Sequence, residues 1–195
     1  MPGIVMFTVL AVVSLIIWVV VLNRPPDVTE AAACNPPTDN TTSDPTKTKL
    51  GEQVTRSSMT EVGPANLADT KIRVLNASGQ GGQAAEVAGQ LRDLGFAEPT
   101  AENDPLYANT PLACQGQIRF GPSGRAAAAA VWLVAPCVEL YQDQRPDNTV
   151  DLAIGTDFTE LTRSDDAEAV LSALRPEATQ PADPALISKI HTTAC

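Results

Sequence analysis

The residues that could take part in chemistry are few, and the first group is a glycine-rich turn. Gly79-x-Gly81-x-x-Ala84 has the spacing of the turn that binds a dinucleotide between a strand and a helix. That fold also requires a second buried strand that ends in an acidic residue about 20 positions later. Residues 98–100 are polar and include a proline, so the sequence predicts no cofactor. We interpret the turn as one that lets a helix start close to a sheet.

The same turn suggests a second chemistry, the binding of an anion. Backbone N–H groups at the start of a helix attract negative charge, such as a lipid phosphate or a wall carboxylate. The candidate ligand-binding residues in the turn are Asn76, Ser78, Gly79 and Gly81. A turn that only packs against the sheet uses the same residue types, so both interpretations stay open at this point.

A nucleophilic serine is the third chemistry to weigh. Residues 121–124 read Gly-Pro-Ser-Gly, close to the G-x-S-x-G turn of hydrolases, but Arg125 occupies the place of the last glycine. The base would have to be His191, the single histidine of the chain. We expect Ser123 to cap the helix that follows it. The sequence therefore predicts no catalytic residue and no enzyme, with a hydrolase or transferase acting on wall glycopolymer or lipid as the alternative.

The acidic composition excludes one class of partner and one kind of site. The formal net charge is −10 at pH 7, and a phosphate backbone requires a basic face, so we expect no nucleic-acid partner. Residues 143–183 hold ten carboxylates against three Arg, but the spacing of Asp143, Asp147 and Asp151 does not match a calcium-binding loop. We interpret this stretch as a solvated face and predict no metal site.

The elements that must position these residues alternate between strand and helix. Short apolar strands are predicted at 72–75, 118–120, 138–141 and 150–154. Helices are predicted at 84–94 with Gly95 as the C-terminal glycine, at 125–135, from Asp165 with Glu168 as a cap, and from Asp183 with Pro184 at the first position. The alternation predicts an α/β fold, a single small domain with a mixed sheet and helices packed on the sheet.

The helix predicted at 125–135 is apolar on nearly all sides. Such a helix is either buried on several sides or presents one face to a ligand or partner. We favour burial. The alternative is an apolar groove that takes an acyl chain or a partner's side chains, with Trp132 as a ligand-binding residue.

The first 66 residues carry no predicted globular fold. Residues 3–22 hold no charged side chain, and about 20 residues span a bilayer as a helix, which predicts a transmembrane helix within residues 1–23. Residues 24–66 are rich in Pro, Ser and Thr, which predicts an extended linker with a reach of about 35 to 40 Å. The predicted globular domain is residues 67–195.

The four cysteines indicate the compartment. They form no C-x-x-C pair and have no histidine at zinc spacing, which is typical of two disulfides in an oxidising environment. We therefore expect a single-pass protein of the cell membrane whose C-terminal domain is extracytoplasmic. If strand 118–120, its helix and strand 138–141 form a right-handed crossover, Cys114 and Cys137 lie at one edge of the sheet and can pair. That pairing leaves Cys34 to join Cys195.

One segment carries a resemblance to a known family. Residues 71–96, KIRVLNASGQGGQAAEVAGQLRDLGF, combine a strand, an Asn-x-(Ser/Thr)-Gly turn and an amphipathic helix that ends in Leu-x-x-Leu-Gly-Phe. This segment resembles the opening of the LytR C-terminal domain, and residues 118–124 and 150–155 are similar to that family's later strands. The resemblance covers about 85 residues. In that family the domain often follows a catalytic domain that attaches glycopolymers to the wall, and no such domain is present in this chain.

A stand-alone copy of the domain behind one transmembrane helix is similar to the envelope-integrity proteins of actinobacteria. The resemblance implies a membrane-anchored binding module that helps to keep the cell envelope intact and bears on virulence, and it implies no reaction. The partners that it implies are an envelope lipid, a wall polymer or an envelope protein, with the membrane itself contacted through residues 3–22.

Overall fold

The computed structural model describes residues 6, 13, 14, 18, 33–38, 49–192 and 195. The predicted transmembrane helix at 3–22, apart from four isolated residues, and the linker segments 24–32 and 39–48 lie outside these described residues. Among the residues that are described, no helix has the length and apolar character needed to cross a membrane.

A mixed sheet of six strands forms the centre of the described chain, in the order β1-β5-β4-β6-β2-β3. The strands are β1 (Glu52–Gln53), β2 (Ile72–Asn76), β3 (Thr100–Asn103), β4 (Gly116–Phe120), β5 (Glu139–Gln142) and β6 (Val150–Ile154). Strands β3, β2 and β6 run parallel to one another, and β4 and β5 run parallel in the opposite direction. Strand β1 pairs antiparallel with β5 at one edge.

Five helices accompany the sheet, and together they confirm the predicted α/β domain with a mixed sheet. They are α1 (Arg56–Met59), α2 (Gln83–Leu94), α3 (Arg125–Trp132), α4 (Asp165–Ala173) and α5 (Pro184–His191), with short 3-10 turns at Leu67–Asp69 and Pro122–Gly124. All five contribute buried side chains to one apolar cluster, which also contains Ile118 and Phe120 of β4 and Leu152 of β6. The helices therefore cover one face of the sheet.

Helix α3 is buried, as favoured from its sequence. Residues 127–132 expose 0 to 4% of their surface. The helix connects the parallel strands β4 and β5, so this part of the chain forms the expected crossover unit. An all-round apolar helix gains the most free energy when several of its sides leave water, and this position provides that burial.

Strand β3 was not predicted, because its sequence contains no apolar alternation. All four of its residues, Thr100–Asn103, are exposed, and the strand is held by parallel pairing with β2 alone. A strand at the edge of a sheet needs main-chain hydrogen bonds more than a buried side-chain face, so its sequence carries little signal. A second strand does follow the glycine turn, but it is exposed and is not the buried strand that the dinucleotide-binding fold requires.

Two predicted helix caps also differ. Ser164 caps α4 by accepting a hydrogen bond from the backbone N–H of Ala167 at 3.1 Å, in place of Asp165. Asp183 caps α5 as expected, with Pro184 at the first position. Ser123 does not cap α3, because its hydroxyl donates to carbonyl oxygens of another loop. Helix α3 starts directly from the preceding 3-10 turn, which removes the need for a side-chain cap.

The folded domain begins before residue 67. Strand β1 pairs with β5, the backbone N–H of Val54 donates to the carbonyl of Leu140 at 2.8 Å, and Met59 is completely buried. The prediction of an extended linker over 24–66 is therefore wrong for residues 51–66. Few residues of this stretch are apolar, but those few enter the core that the rest of the chain builds.

The disulfide pairing also differs from the prediction. Cys34 is bonded to Cys114, and Cys137 is bonded to Cys195. Strands β4 and β5 are parallel as assumed, but the cysteines that precede them serve opposite faces of the sheet. Cys114 belongs to a small cluster with Leu75 on the face without helices. Cys137 instead joins the end of the chain after α5, on the helical face.

Replacement of Met59 by Ala tests whether this early segment belongs to the core. Loss of a fully buried methionine side chain costs about 2 to 5 kcal/mol, so the free energy of unfolding in a urea titration should fall by that amount. Ser57→Ala, at an exposed position of the same helix, is the matched control and should change stability by less than about 0.5 kcal/mol. Equal stabilities of the two variants would show that residues 51–66 do not pack as described.

Candidate functional site

The glycine turn between β2 and α2 is closed by its own hydrogen bonds. The side-chain amide of Asn76 donates to the carbonyl of Gln80 at 2.6 Å, and its oxygen accepts from the backbone N–H and the hydroxyl of Ser78. The Ser78 hydroxyl also lies 2.6 Å from Oε1 of Gln83. Gly79 has a φ of 78°, which favours glycine. The polar groups of the turn are thus used within the turn.

Asn76, Ser78 and Gly79, three of the predicted ligand-binding residues, therefore lie together. They close the turn itself, as expected for a turn that only packs against the sheet. A shallow depression of about 470 Å³ beside the turn is lined by Gly81 but by neither Asn76 nor Ser78. Glu86 lies in the first turn of α2 and lines the same depression, and its negative charge opposes the binding of an anion there. Anion binding at this turn stays a prediction.

Trp132 lies in the interior, which contradicts its prediction as a ligand-binding residue. It has no exposed surface, and its indole N–H donates to the carbonyl of Pro136 at 3.1 Å. The ring of His191 stacks on it with centroids 3.9 Å apart, and the guanidinium of Arg56 lies 5.0 Å from its centroid. Helices α1 and α5 therefore cover the surface of α3 on which an apolar groove was considered.

Ser123 and His191 do not form a nucleophile and base pair. The Ser123 hydroxyl donates to the carbonyls of Pro146 and Asp147 at 2.8 and 2.9 Å. Ser123 precedes α3, whereas His191 stacks on Trp132 at the last residue of that helix, so the helix length of about 12 Å separates them. The one catalytic pair that the sequence offered is therefore not assembled.

Burial changes the titration of His191. The residue exposes 1% of its surface, and this burial lowers the pKa of the imidazole to about 4. The positive charge of Arg56 adds to the shift, and the nearby backbone of Ala129 only partly opposes it. Neither imidazole nitrogen has a hydrogen-bond partner among the described residues. The ring is consequently neutral near pH 7 and acts as an aromatic packing group.

The opposite face of the sheet holds charged side chains in register. The cross-strand pairing aligns one row of residues across all six strands, namely Gln53, Tyr141, Arg119, Asp151, Arg73 and Thr100. Their neighbours along the strands, such as Ile118 and Leu152, point into the helical core. The three central charges therefore lie side by side on the face that no helix covers.

Arg119 is the most enclosed of these charges. Its exposed fraction is 3%, and its guanidinium lies 2.8 Å from a carboxylate oxygen of Asp104. It also donates two hydrogen bonds to Oε1 of Gln117, at 3.1 and 2.8 Å, and lies 5.5 Å from the ring centroid of Tyr107. A buried guanidinium requires such partners, because removing a charge from water without them costs several kcal/mol.

Asp151 joins two arginines in a second network. It accepts from Nε and Nη2 of Arg73 at 2.7 and 2.9 Å and from Nη2 of Arg145 at 2.7 Å. Nε of Arg145 also donates to Asp143 at 2.9 Å. Burial opposes the charge of Arg145, but the hydrogen bonds to both aspartates raise its pKa above the ordinary value. The hydrogen bond to Asp151 likewise raises the pKa of Arg73.

An open cleft of about 1090 Å³ lies over this second network, where β4 and β5 end. Its lining combines charged and polar side chains with apolar surface and consists of Lys49, Leu50, Gly51, Glu52, Arg73, Pro122, Gln142, Asp143, Gln144, Arg145, Asp147 and Thr149. Three of these residues are basic and three are acidic, so the cleft presents balanced charge. The guanidinium groups of Arg73 and Arg145 are held in place by the carboxylates of Asp151 and Asp143, which suits the recognition of a polar ligand through several hydrogen bonds.

Sequence reasoning missed this cleft because it treated the acidic stretch as a solvated face. The available signal was a single charge inside each of three short strands that are mostly apolar, namely Arg73, Arg119 and Asp151. A buried strand of five residues rarely carries a charge unless a partner lies nearby, for example on the neighbouring strand. That pattern would have indicated a paired polar face without naming its partners.

The fold and the site together define an α/β module, fastened by two disulfides, with a polar cleft on the sheet face opposite its helices. The chain belongs to the LytR C-terminal domain family: the family described as LytR cell envelope-related transcriptional attenuator matches residues 69–158. The resemblance seen at residues 71–96 is thereby confirmed.

Two relatives extend this result beyond the matched domain. The chain is 62% identical over 194 residues to the cell envelope integrity protein Cei of Mycobacterium tuberculosis. The alignment covers 100% of this chain and 89% of that protein. It is also similar to the crystal structure of the soluble domain of a conserved hypothetical secreted protein from Mycobacterium marinum. That match has 67% identity and a TM-score of 0.74, and it covers 76% of this chain and 100% of the other.

The buried imidazole predicts a pH dependence of stability. The unfolded chain binds a proton on His191 below about pH 6.5, whereas the folded chain does so only below about 4, so stability falls as the pH falls between these values. The loss reaches about 3 kcal/mol at the lower end. Urea titrations of the natural protein and of His191→Phe should therefore diverge between pH 6.5 and 4. The carboxylates titrate alike in both proteins, so parallel pH profiles would contradict the burial of a neutral ring.

Proposed function

We propose that this protein is a membrane-anchored extracytoplasmic binding module that contributes to the integrity of the cell envelope and, through the envelope, to virulence. The observation that carries the proposal is the 62% identity, along the whole chain, to a protein named for cell envelope integrity. The related crystal structure is described as the soluble domain of a secreted protein, which supports a domain outside the cytoplasm.

The chemistry of the chain supports the same location. All four cysteines are joined in disulfides, and such bonds persist in oxidising compartments. Residues 3–22 contain no charged side chain, and a segment of about 20 such residues is long enough to span a bilayer. The proposed topology is one membrane helix followed by an extracytoplasmic domain.

The cleft over Arg73 and Arg145 is the proposed binding site, and its chemistry favours a wall polymer over a lipid. The lining provides fixed donors and acceptors with balanced charge, which matches the hydroxyl and amide groups of a polysaccharide or peptidoglycan. An acyl chain would require an apolar lining. An anionic polymer is disfavoured, because the chain as a whole carries a charge of −10.

Removal of one cleft guanidinium should weaken binding without unfolding the domain. Arg73 is half-exposed, and Asp151 keeps Arg145 as a partner when Arg73→Gln removes the first pair. We expect at least about tenfold weaker binding to insoluble wall preparations in a pull-down titration, the effect of losing one charged hydrogen-bonding group. Arg92→Gln, an exposed arginine on α2 outside the cleft, is the matched control. A folded Arg73→Gln protein with unchanged binding would exclude the cleft as the site.

The enzymatic alternative is separated by a different substitution. Ser123→Ala deletes the only serine at a nucleophile-like turn, and its hydroxyl makes only loop hydrogen bonds in this structure. Full-length Ser123→Ala should restore resistance to detergent in a strain that lacks the protein as well as the natural chain does. Loss of complementation by a stably folded Ser123→Ala protein would favour the hydrolase or transferase.

A further inference from the structure

Residues 33–38, here called the strap, lie against the domain although they precede its first strand by many residues. The phenol of Tyr107 donates to the carbonyl of Asn35 at 2.8 Å, and the backbone N–H of Ala113 donates to Oδ1 of Asn35 at 2.6 Å. The backbone N–H of Cys34 donates to a carboxylate oxygen of Glu139 at 3.1 Å, and Pro37 is buried.

A covalent bond reinforces these contacts. Cys34 is joined to Cys114, 80 residues later, and Cys114 is itself buried with Leu112 on the face of the sheet without helices. The strap is therefore fixed at the amino-terminal end of β5, where Glu139 lies, whereas Gln142 at the other end of that strand lines the cleft. The strap is therefore attached at the end of the sheet away from the cleft, and none of its described residues lines the cleft.

This attachment changes the length of chain that separates the domain from the membrane. On the proposed topology the anchor ends at residue 22, so only residues 23–33, eleven in number, precede Cys34. Eleven residues span at most about 40 Å, whatever path they take. Without the strap, the first attachment would be β1 at residue 52, and the 29 residues before it span up to about 100 Å.

We propose that the strap sets the working distance of the domain: Cys34 lies within about 40 Å of the outer surface of the cell membrane, and the cleft lies beyond it by no more than the length of the sheet. This inference rests on the anchored binding module proposed above and adds where in the envelope that module acts. A strap that served only to stabilise the fold would make the same contacts, but its function would not depend on the length of chain before Cys34.

Two insertions in the full-length protein distinguish a strap that sets the distance from the membrane from a strap that only stabilises the fold. The same 20-residue Gly/Ser segment is placed either between residues 28 and 29, before the strap, or between residues 43 and 44, after it. The first lengthens the tether by up to about 70 Å, and the second lengthens only a loop that the disulfide already closes. Energy transfer from a fluorophore on an exposed engineered site of the domain to a lipid acceptor in proteoliposomes should fall at least twofold for the first insertion and stay unchanged for the second.

The two insertions should also differ in their effect on the survival of cells. We expect the insertion before the strap to lower survival in detergent at least tenfold in a strain that depends on the plasmid copy, and the insertion after it to match the natural chain. In a Cys34→Ser, Cys114→Ser background the difference between the two insertions should become smaller, since the strap is then held only by non-covalent contacts and can detach. Non-reducing peptide maps and circular dichroism confirm that each inserted protein is folded and, where the cysteines remain, disulfide-bonded.

Several results would overturn the proposal. Equal energy transfer for both insertions would show that the strap does not set the distance, and full survival with the insertion before the strap would show that the distance does not matter. In either case, the proposed function would still be supported if wall binding depended on Arg73. Release of the unmodified protein from membranes by alkaline carbonate would instead show that no membrane helix anchors it, and this result would contradict both proposals.

Discussion

Asp151 occupies the point on which the register of the sheet depends. Its carboxylate accepts hydrogen bonds from Arg73 on β2 and from Arg145 in the loop between β5 and β6, and β6 is the strand that links the two parallel halves. A shift of one residue in the pairing of β6 would turn this charge toward the helices, away from Arg73 and Arg145, and bury it without a partner. Such an uncompensated buried charge costs several kcal/mol, which far exceeds the differences between alternative apolar packings. Charge pairing therefore selects one arrangement of strands whose apolar residues would tolerate several.

The two faces of the sheet are consequently stabilised in different ways. The helical face is apolar and is filled by α3, whose residues from Ala127 to Trp132 have almost no exposed surface. The other face holds charges that must be neutralised, and at one end the strap and Tyr107 enclose Arg119 and Gln117. At the other end nothing among the described residues closes the face, and there the cleft lies. The proposed binding site is thus the part of a polar face that the described residues leave open.

The parts of the fold that were predictable from sequence are those with a local physical signal. Gly95, with a φ of 104°, ends α2 as its position indicated, and β2 and β6 are short runs of mostly apolar residues. The glycine turn was located correctly, but whether its groups face a ligand or each other depends on Asn76 and Ser78 rotamers that no spacing reveals. Strand β3, the cysteine pairing and the salt-bridge cleft could not be predicted, because each depends on which face of the sheet a distant segment covers. Sequence periodicity indicates on which face of its own helix or strand a residue lies. It does not indicate which distant segment packs against that face.

On the proposed membrane-anchored topology, charge gives a reason why a covalent strap would be needed to keep the domain near the membrane. Residues 67–195 contain nine Lys and Arg against seventeen Asp and Glu, a formal charge of −8, so an anionic bilayer repels the domain. A flexible tether of 29 residues would let that repulsion move the domain outward, since the chain resists extension only weakly until it is nearly straight. A bond at Cys34 limits the displacement to what eleven residues permit, and it does so without any attractive contact between protein and lipid. The acidic surface then keeps the domain off the bilayer while the short tether keeps it close, and the balance of the two defines a narrow layer in which the cleft can meet its polymer.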